Sequence, residues 1–485
     1  MWQPRGVRVL LVRPASPNER FGLGPFFRVE PLGLEYLATA LRDAGHHVAV
    51  ADLRFGKSLA RLLTRWRPGL VGIACTHTVD VPAALAVATE IKQRAGRVFV
   101  LVGGHAAGAS PDPLLQSAVD AVSLGDGEQP AVELAMCLER GGDPSRVAGL
   151  LLRRDRGGAE AFRPTAVLER GPLDAVPLPA RDLVAPFQKH YLCVNRMPVW
   201  AVETARGCPY RCSFCSIWRH NARTHRLRGI DWVCRDLAAS GKNVFIVDDL
   251  FWHPPDRSRE LARELKRRGI RKEWMLVQAR LDTVARNEAL LAEWRTLADR
   301  FDIFFGFESP RDEHLQQLAK DQAVGATAEG VGVARSLGYG VTGNFLVDPD
   351  WGEGDFEAMW ALVDRLNLRR AGYTVLTPLP GTPLYDELLP RIIERDWSRY
   401  DMSHLLVEPR LGRRRFFELF VESWRRNVLR PASSRKRLFE WTAGLSPGQV
   451  LMLLRVLLQT RRVLDVSAYL RETPPTQTPA GFGSE

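Results

Sequence analysis

The chain has no uninterrupted apolar run of roughly 20 residues, the length a bilayer-spanning helix needs. No N-terminal stretch combines a basic start, an apolar core and a small-residue cleavage site, so no secretory signal is expected. Cysteine is scarce and odd in number, seven in 485 residues, which argues against a disulfide scaffold and for a reducing, cytoplasmic setting. No internal sequence repeat is evident. Acidic residues are outnumbered, 56 against 67 Lys and Arg, leaving a net charge of +11. Such a balance invites a polyanion or an anionic membrane. Much of the excess lies near the C-terminus, however, and no nucleic-acid partner is expected. What is present, 45% hydrophobic and 25% charged residues, belongs to a globular protein long enough for two or three domains.

Three of the seven cysteines fall in Glu203-Thr-Ala-Arg-Gly-Cys208-Pro-Tyr-Arg-Cys212-Ser-Phe-Cys215, a loop following the short apolar strand Val199–Val202. Soft thiolates at C-x3-C-x2-C spacing suit iron–sulfur clusters or zinc. Zinc would want a fourth ligand, which His220 or His225 could supply. A four-iron cluster on three cysteines leaves one iron open to a further ligand. With Phe214 immediately before the last cysteine, the motif resembles the signature of radical S-adenosylmethionine (SAM) enzymes.

Upstream, buried-strand runs at Val7–Val12, Val48–Ala51, Leu70–Cys75, Val98–Val102 and Val119–Leu124 alternate with helical stretches such as Leu34–Ala44, which ends at Gly45. This rhythm predicts an α/β, doubly wound parallel sheet whose ligands sit beyond the carboxyl ends of the strands. Leu32-Gly33, Thr76-His77, Gly103-Gly104-His105 and Gly125-Asp126-Gly127-Glu128 lie there. Glycines at such ends allow close backbone approach to a ligand, although they also serve as plain turns.

Preceding a radical-SAM-like motif, the sequence P-L-G-L-E-Y-L-A…A-G-H, then G-G-H, then G-D-G-E resembles the cobalamin-binding domain of cobalamin-dependent radical SAM enzymes. The resemblance implies a Rossmann-like cobalamin site lined by Leu32, Gly33, Thr76, His77, Gly103, Gly104, His105, Gly125 and Glu128. The D-x-H-x-x-G motif that ligates cobalt in some proteins is absent, leaving the lower axial position open; His77 and His105 are the histidines expected near the corrin.

From residue 199 the βα rhythm returns, with strands at Val199–Thr204, Asn243–Val247, Trp274–Ala279, Asp302–Phe307, Val341–Val347 and Tyr373–Thr377, and helices that include Asp256–Arg268 and Asn287–Arg300. Six such units fit the partial (β/α)6 barrel of radical SAM enzymes, whose chemistry collects at the strand carboxyl ends. Asp248, Asp249, Gln278, Arg280, Glu308 and Ser309 fall there. The aspartates also suit turn or N-cap positions, and Glu308 a helix start. By resemblance, these six and Phe214 line the SAM pocket.

The expected layout is a cobalamin domain over 1–150, a proline-punctuated linker over 151–198, the barrel over 199–400, a helical C-terminal region over 401–472 and a disordered tail over 473–485. The apolar repeat Phe416, Phe417, Phe420, Val421, Trp424 and the stretch Val450–Leu464, with the basic run Arg425-Arg426, Arg430, Arg435-Lys436-Arg437 between them, form either a cap on the barrel or a peripheral element on the cytoplasmic membrane face.

The family resemblance implies a 4Fe-4S cluster on Cys208, Cys212 and Cys215, SAM on the open iron, and cobalamin. It implies methylation of an unactivated carbon through a 5′-deoxyadenosyl radical and methylcobalamin, fed by a low-potential donor such as flavodoxin or ferredoxin. The chain-long pattern looks most like hopanoid C-3 methylases, which act on a lipid. The competing readings are a cobalamin-dependent cyclase or rearrangement enzyme acting in tetrapyrrole or natural-product biosynthesis, and a non-catalytic iron–sulfur or zinc protein that binds polyanions.

Overall fold

The computed structural model describes residues 6–15, 27–154, 161–193, 196–428, 450, 458 and 461–472. Strand β1 (Arg8–Arg13) and the short β2 (Phe27–Arg28) precede β3 (His47–Asp52), β4 (Leu70–Ala74), β5 (Phe99–Gly103) and β6 (Ala121–Ser123). The first sheet runs in the order β3-β1-β4-β5-β6, parallel throughout, and continues antiparallel into β7 (Leu150–Arg153) and β8 (Phe162–Pro164). Helices cover both faces, which is why β1 reads as the continuous run Val9-Leu-Leu-Val12, every residue of it buried. The order reverses between β1 and β4, so a ligand crevice opens beyond their carboxyl ends.

The residues expected as a linker do more than connect. They supply β7, β8 and β9 (Leu192–Cys193), the last pairing with β2.

The second sheet comprises β10 (Trp200–Val202), then, beyond a two-stranded ribbon of β11 (Ala205–Arg206) and β12 (Arg226–Leu227), strands β13 (Asn243–Ile246), β14 (Lys272–Ala279), β15 (Ala298–Glu308), β16 (Gly340–Val347) and β17 (Ala371–Val375). Its six strands run parallel in the order β10-β13-β14-β15-β16-β17, a partial barrel with two edges. The helix expected over Asn287–Arg300 stops at Arg295. Pairing with β14 draws Ala298–Arg300 into β15, and Arg300 sits opposite Trp274.

The helix Arg413–Val428 turns its apolar face inward. Phe416, Phe417, Phe420 and Val421 are buried, the Phe417 ring stacks on Tyr469 at 4.7 Å, and Trp424 meets Tyr373 edge-on at 5.5 Å. That face is therefore taken up by the barrel and is not open to a membrane. The basic run from Arg430 and most of Val450–Leu464 lie outside the described residues, as does the tail. No helix among the described residues is long and apolar enough to cross a membrane.

Two side chains clamp the two halves together at the barrel's first edge. Glu30 Oε1 accepts from the Ala201 N–H at 2.8 Å, and Arg181 Nη2 donates to the Ala201 carbonyl at 2.8 Å. Arg181 also pairs with Asp236 at 2.5 Å. Glu35 lies in the same cluster, fully buried, with both carboxyl oxygens lacking a hydrogen-bond partner. Burial, reinforced by the charge of Glu30, holds its pKa well above the ordinary 4.5. The folded chain thus retains a proton that the unfolded chain releases, and Glu35's own contribution to stability falls as pH rises above 4.5. Glu35→Gln, which mimics the neutral acid, is expected to flatten that decline. Its melting temperature should exceed wild type at pH 8 and match it near pH 4.5. Parallel melting curves across that range would contradict a neutral Glu35.

Candidate functional site: a cysteine loop between two sheets

The cysteine loop is closed at its base by the β11–β12 ribbon and pinned by backbone bonds on two sides. Ser213 N–H donates to Leu318 O at 2.9 Å, and Leu384 N–H donates to Ser213 O at 3.0 Å. Trp218 Nε1 donates to Cys212 O at 3.0 Å, and Phe214 packs against Leu318, Leu376 and Leu384. Gly207, with φ +94°, begins the loop where a side chain would meet Thr224 O at 2.3 Å.

All three cysteines are free thiols. Burial raises the pKa of each, that of Cys215 to about 12, and at Cys212 the Lys320 charge opposes the effect. The histidines that would complete a zinc site are turned elsewhere. His220 lies edge-on to His105 at 4.8 Å and His225 beside His253 at 5.3 Å. No three His, Cys, Asp or Glu among the described residues are placed to hold a single metal ion. A donor set of three unpaired thiols with no fourth ligand fits an iron–sulfur cluster that keeps one iron open.

Around the loop stand the carboxyl ends of the second sheet. Asp248 is buried and accepts from Thr204 N and Oγ1, each at 2.6 Å; burial still lifts its pKa to about 7 against those bonds. Asp249 accepts from Gly207 N at 3.2 Å. Its side chain is open to solvent, yet surrounding protein raises its pKa to about 6. Both observations follow if it lines the inside of the barrel mouth. Gln278 Nε2 donates to Asp248 O at 3.3 Å. Arg280 pairs with Asp282 at 3.0 Å and lays its guanidinium over Tyr210 at 3.8 Å, bracing the loop between the first two cysteines. Glu308 has φ +60° at a bulge and pairs with Lys320 Nζ at 2.8 Å, in space that exists because residue 306 is glycine. A non-glycine residue held there marks stored strain, which clusters at working sites.

Ser309 faces the helix start instead, its hydroxyl accepting from Arg311 N at 3.2 Å and meeting His314. Lys320 had no signal in the sequence, being a lone lysine twelve residues from its partner. Buried polar atoms without a hydrogen-bond partner remain here, among them Ser213 Oγ and Asn344 Oδ1, and a polar ligand would satisfy them.

The first sheet's residues divide. Gly33, Gly103, Gly104 and Gly125 lie at strand ends or helix starts, and a Cβ at Gly33 or Gly125 would meet nothing within 4 Å. At Gly104, with φ +113°, it would strike Cys75 O at 2.8 Å, so only glycine brings the backbone there. Thr76 Oγ1 lies 3.4 Å from Arg13 Nη1. His77 is 62% exposed with Nδ1 3.5 Å from Asp80. His105 instead points at the cysteine loop, its Nε2 2.7 Å from Ser216 Oγ, and burial lowers its pKa to about 3. Leu32 is drawn into the core shared with Trp232 and Val202. Glu128 Oε2, Arg226 Nε and Arg226 Nη2 are buried without partners. Acceptor and donors together suit a macrocycle rimmed with primary amides, as a corrin is.

Comparisons with known proteins agree. Residues 25–135 match the B12 binding domain. The chain is 32% identical over 408 residues to hopanoid C-3 methylase of Methylococcus capsulatus, covering 82% of this chain and 76% of that protein. It is 27% identical over 432 residues to an anaerobic magnesium-protoporphyrin IX monomethyl ester cyclase of Cereibacter sphaeroides, covering 83% and 67%. Its fold matches the cobalamin-dependent S-adenosylmethionine radical enzyme OxsB with aqua-cobalamin bound, at a TM-score of 0.73 and 16% identity, covering 96% and 75%. This chain belongs to the cobalamin-dependent radical SAM methyltransferases, the family of hopanoid C-3 methylase, which work with a 4Fe-4S cluster, SAM and cobalamin.

Proposed function

We propose that this enzyme methylates an sp3 carbon of a polycyclic triterpenoid, C-3 of a hopanoid. The observation that carries this is the 32% identity to hopanoid C-3 methylase over 82% of this chain. When bound, the cluster with SAM supplies a radical able to take hydrogen from an unactivated carbon, and cobalamin supplies the methyl group.

Cys208, Cys212 and Cys215 hold the cluster, and Arg280 on Tyr210 keeps their loop in place. Asp249, accessible within the barrel mouth, receives an ammonium group. Asp248 fixes the end of β10 through Thr204 and sets the height of Asp249 beside it. The Glu308–Lys320 pair places a carboxylate and a cation next to Cys212. The loop, packed between two sheets, excludes water from the centre. An acidic one-electron carrier of the flavodoxin or ferredoxin type supplies electrons. The basic run Arg435-Lys436-Arg437 is the segment we assign to contact with the membrane that holds the lipid.

Anaerobic reconstitution with iron, sulfide and cobalamin, then incubation with SAM, dithionite and a hopanoid, tests this. The expected result is a product heavier by one methylene, with 5′-deoxyadenosine and S-adenosylhomocysteine formed alongside. Turnover of a magnesium-protoporphyrin ester in place of the hopanoid would favour the cyclase reading. 5′-Deoxyadenosine formed with no change in the hopanoid would discard the substrate assignment.

A further inference from the structure

The ribbon that closes the cysteine loop also grips the other half of the protein. Arg206 on β11 extends into the turn after β6, donating from Nη1 to Asp126 Oδ1 at 2.7 Å and from Nη2 to Glu128 Oε1 at 3.2 Å. With Nε and Nη2 it also grasps both oxygens of Glu203, at 3.0 Å each, just beyond β10. Arg226, its cross-strand partner on β12, pairs with Asp126 Oδ2 at 2.7 Å. Arg228 closes the circuit on Glu203 at 2.7 Å and stacks on Trp232 at 3.9 Å. Three guanidiniums thus face three carboxylates, and the network is neutral.

Burial alone would raise the Asp126 carboxyl. Arg226 and Arg206 overcome it and hold the group below the usual carboxylate range. Desolvating so many charges gains little stability over an apolar interface. What a forked, multidentate cation adds is direction and distance. The two strands that Arg206 and Arg226 occupy are the only entry and exit of the 207–225 loop.

We propose that Arg206 is a positioning residue that fixes the cysteine loop against the Gly125–Glu128 turn, and so sets the separation between the cluster and the cobalamin site. The latch rests on the family's use of both groups, but half of its test needs neither. Hydrogen exchange of the full chain without cofactors is expected to be faster by about tenfold over 205–227 and 121–128 in Arg206→Met, with both sheets' central strands unchanged. Asp126→Asn, made from the other side of the interface, should reproduce the pattern, and Arg206→Lys should fall between.

In the reconstituted enzyme, pulsed dipolar spectroscopy between cob(II)alamin and the reduced cluster should give a narrow distance distribution in wild type. In Arg206→Met at equal iron and corrin content, that distribution should be broadened by about twofold. Unchanged exchange, or an unchanged distribution, would overturn the proposal. So would loss of both groups together in Arg206→Met and Asp126→Asn, which would make the network a folding element. A wild-type chain that bound no corrin would refute the family reading while leaving the exchange result to decide the latch.

Discussion

Cys212→Ala is expected to reduce 5′-deoxyadenosine formation below detection while leaving the fold and cobalamin uptake intact. The loop around Cys212 does not depend on its thiol. The Cys212 carbonyl is held by Trp218, Ser213 is bonded on both sides to Leu318 and Leu384, and Phe214 is packed among leucines. Alanine therefore keeps the backbone in place and removes only a ligand. Two thiolates cannot hold a cluster that needs three while presenting one iron outward. Iron and sulfide analysis, corrin absorbance and product mass spectrometry on one preparation separate the possibilities. Retained 5′-deoxyadenosine in this variant would place the cluster elsewhere. Joint loss of iron and corrin would mean that the cysteine loop holds the first sheet in shape.

Gly207→Ala is expected to do comparable harm without touching a ligand. A Cβ at this residue would lie 2.3 Å from the Thr224 carbonyl and 3.0 Å from the Asn221 Cβ. The first obstacle is backbone and cannot rotate aside. The φ of +94° adds a left-handed cost of about 1–2 kcal/mol for any L side chain. The chain can accept alanine only by parting the β11–β12 ribbon or by withdrawing the Gly207 N–H from Asp249. Iron loading should fall several-fold, with corrin binding unchanged. A fully loaded Gly207→Ala protein would show that the ribbon is more pliable than its geometry implies.

How much of this was legible beforehand depended on the kind of signal. Strands β1, β4 and β5 were readable because sheets covered on both faces demand unbroken apolar runs. The three cysteines were readable because ligands on one loop must keep their spacing. Charge partners were not. Arg206 and Asp126 are 80 residues apart, and Glu30 and Ala201 are 171 apart. A side chain's charge states what it needs and says nothing about where in the chain that need is met. The same limit hid Lys320 behind Glu308. It also left the aromatic helix Arg413–Val428 readable as amphipathic but not as to which surface would take its apolar face. Leu32 and Ser309 were assigned to pockets from their neighbours in sequence. In the fold Leu32 also packs in the second sheet's core and Ser309 Oγ also accepts from Arg311 N, partners that lie outside any motif.

The clamp on Ala201 bears on the order in which the protein is made. A strand at the rim of an open sheet displays unpaired peptide groups that other chains can seize. Here the groups that satisfy them, on Glu30 and Arg181, leave the ribosome before Ala201 does. Domains generally fold as units during synthesis, amino-terminal part first. The earlier half therefore stands ready as a template on which the later half lays down its first strand. A fragment beginning at Val199 would emerge with that rim bare and would be expected to self-associate. The same fragment co-expressed with residues 1–198 should stay in solution.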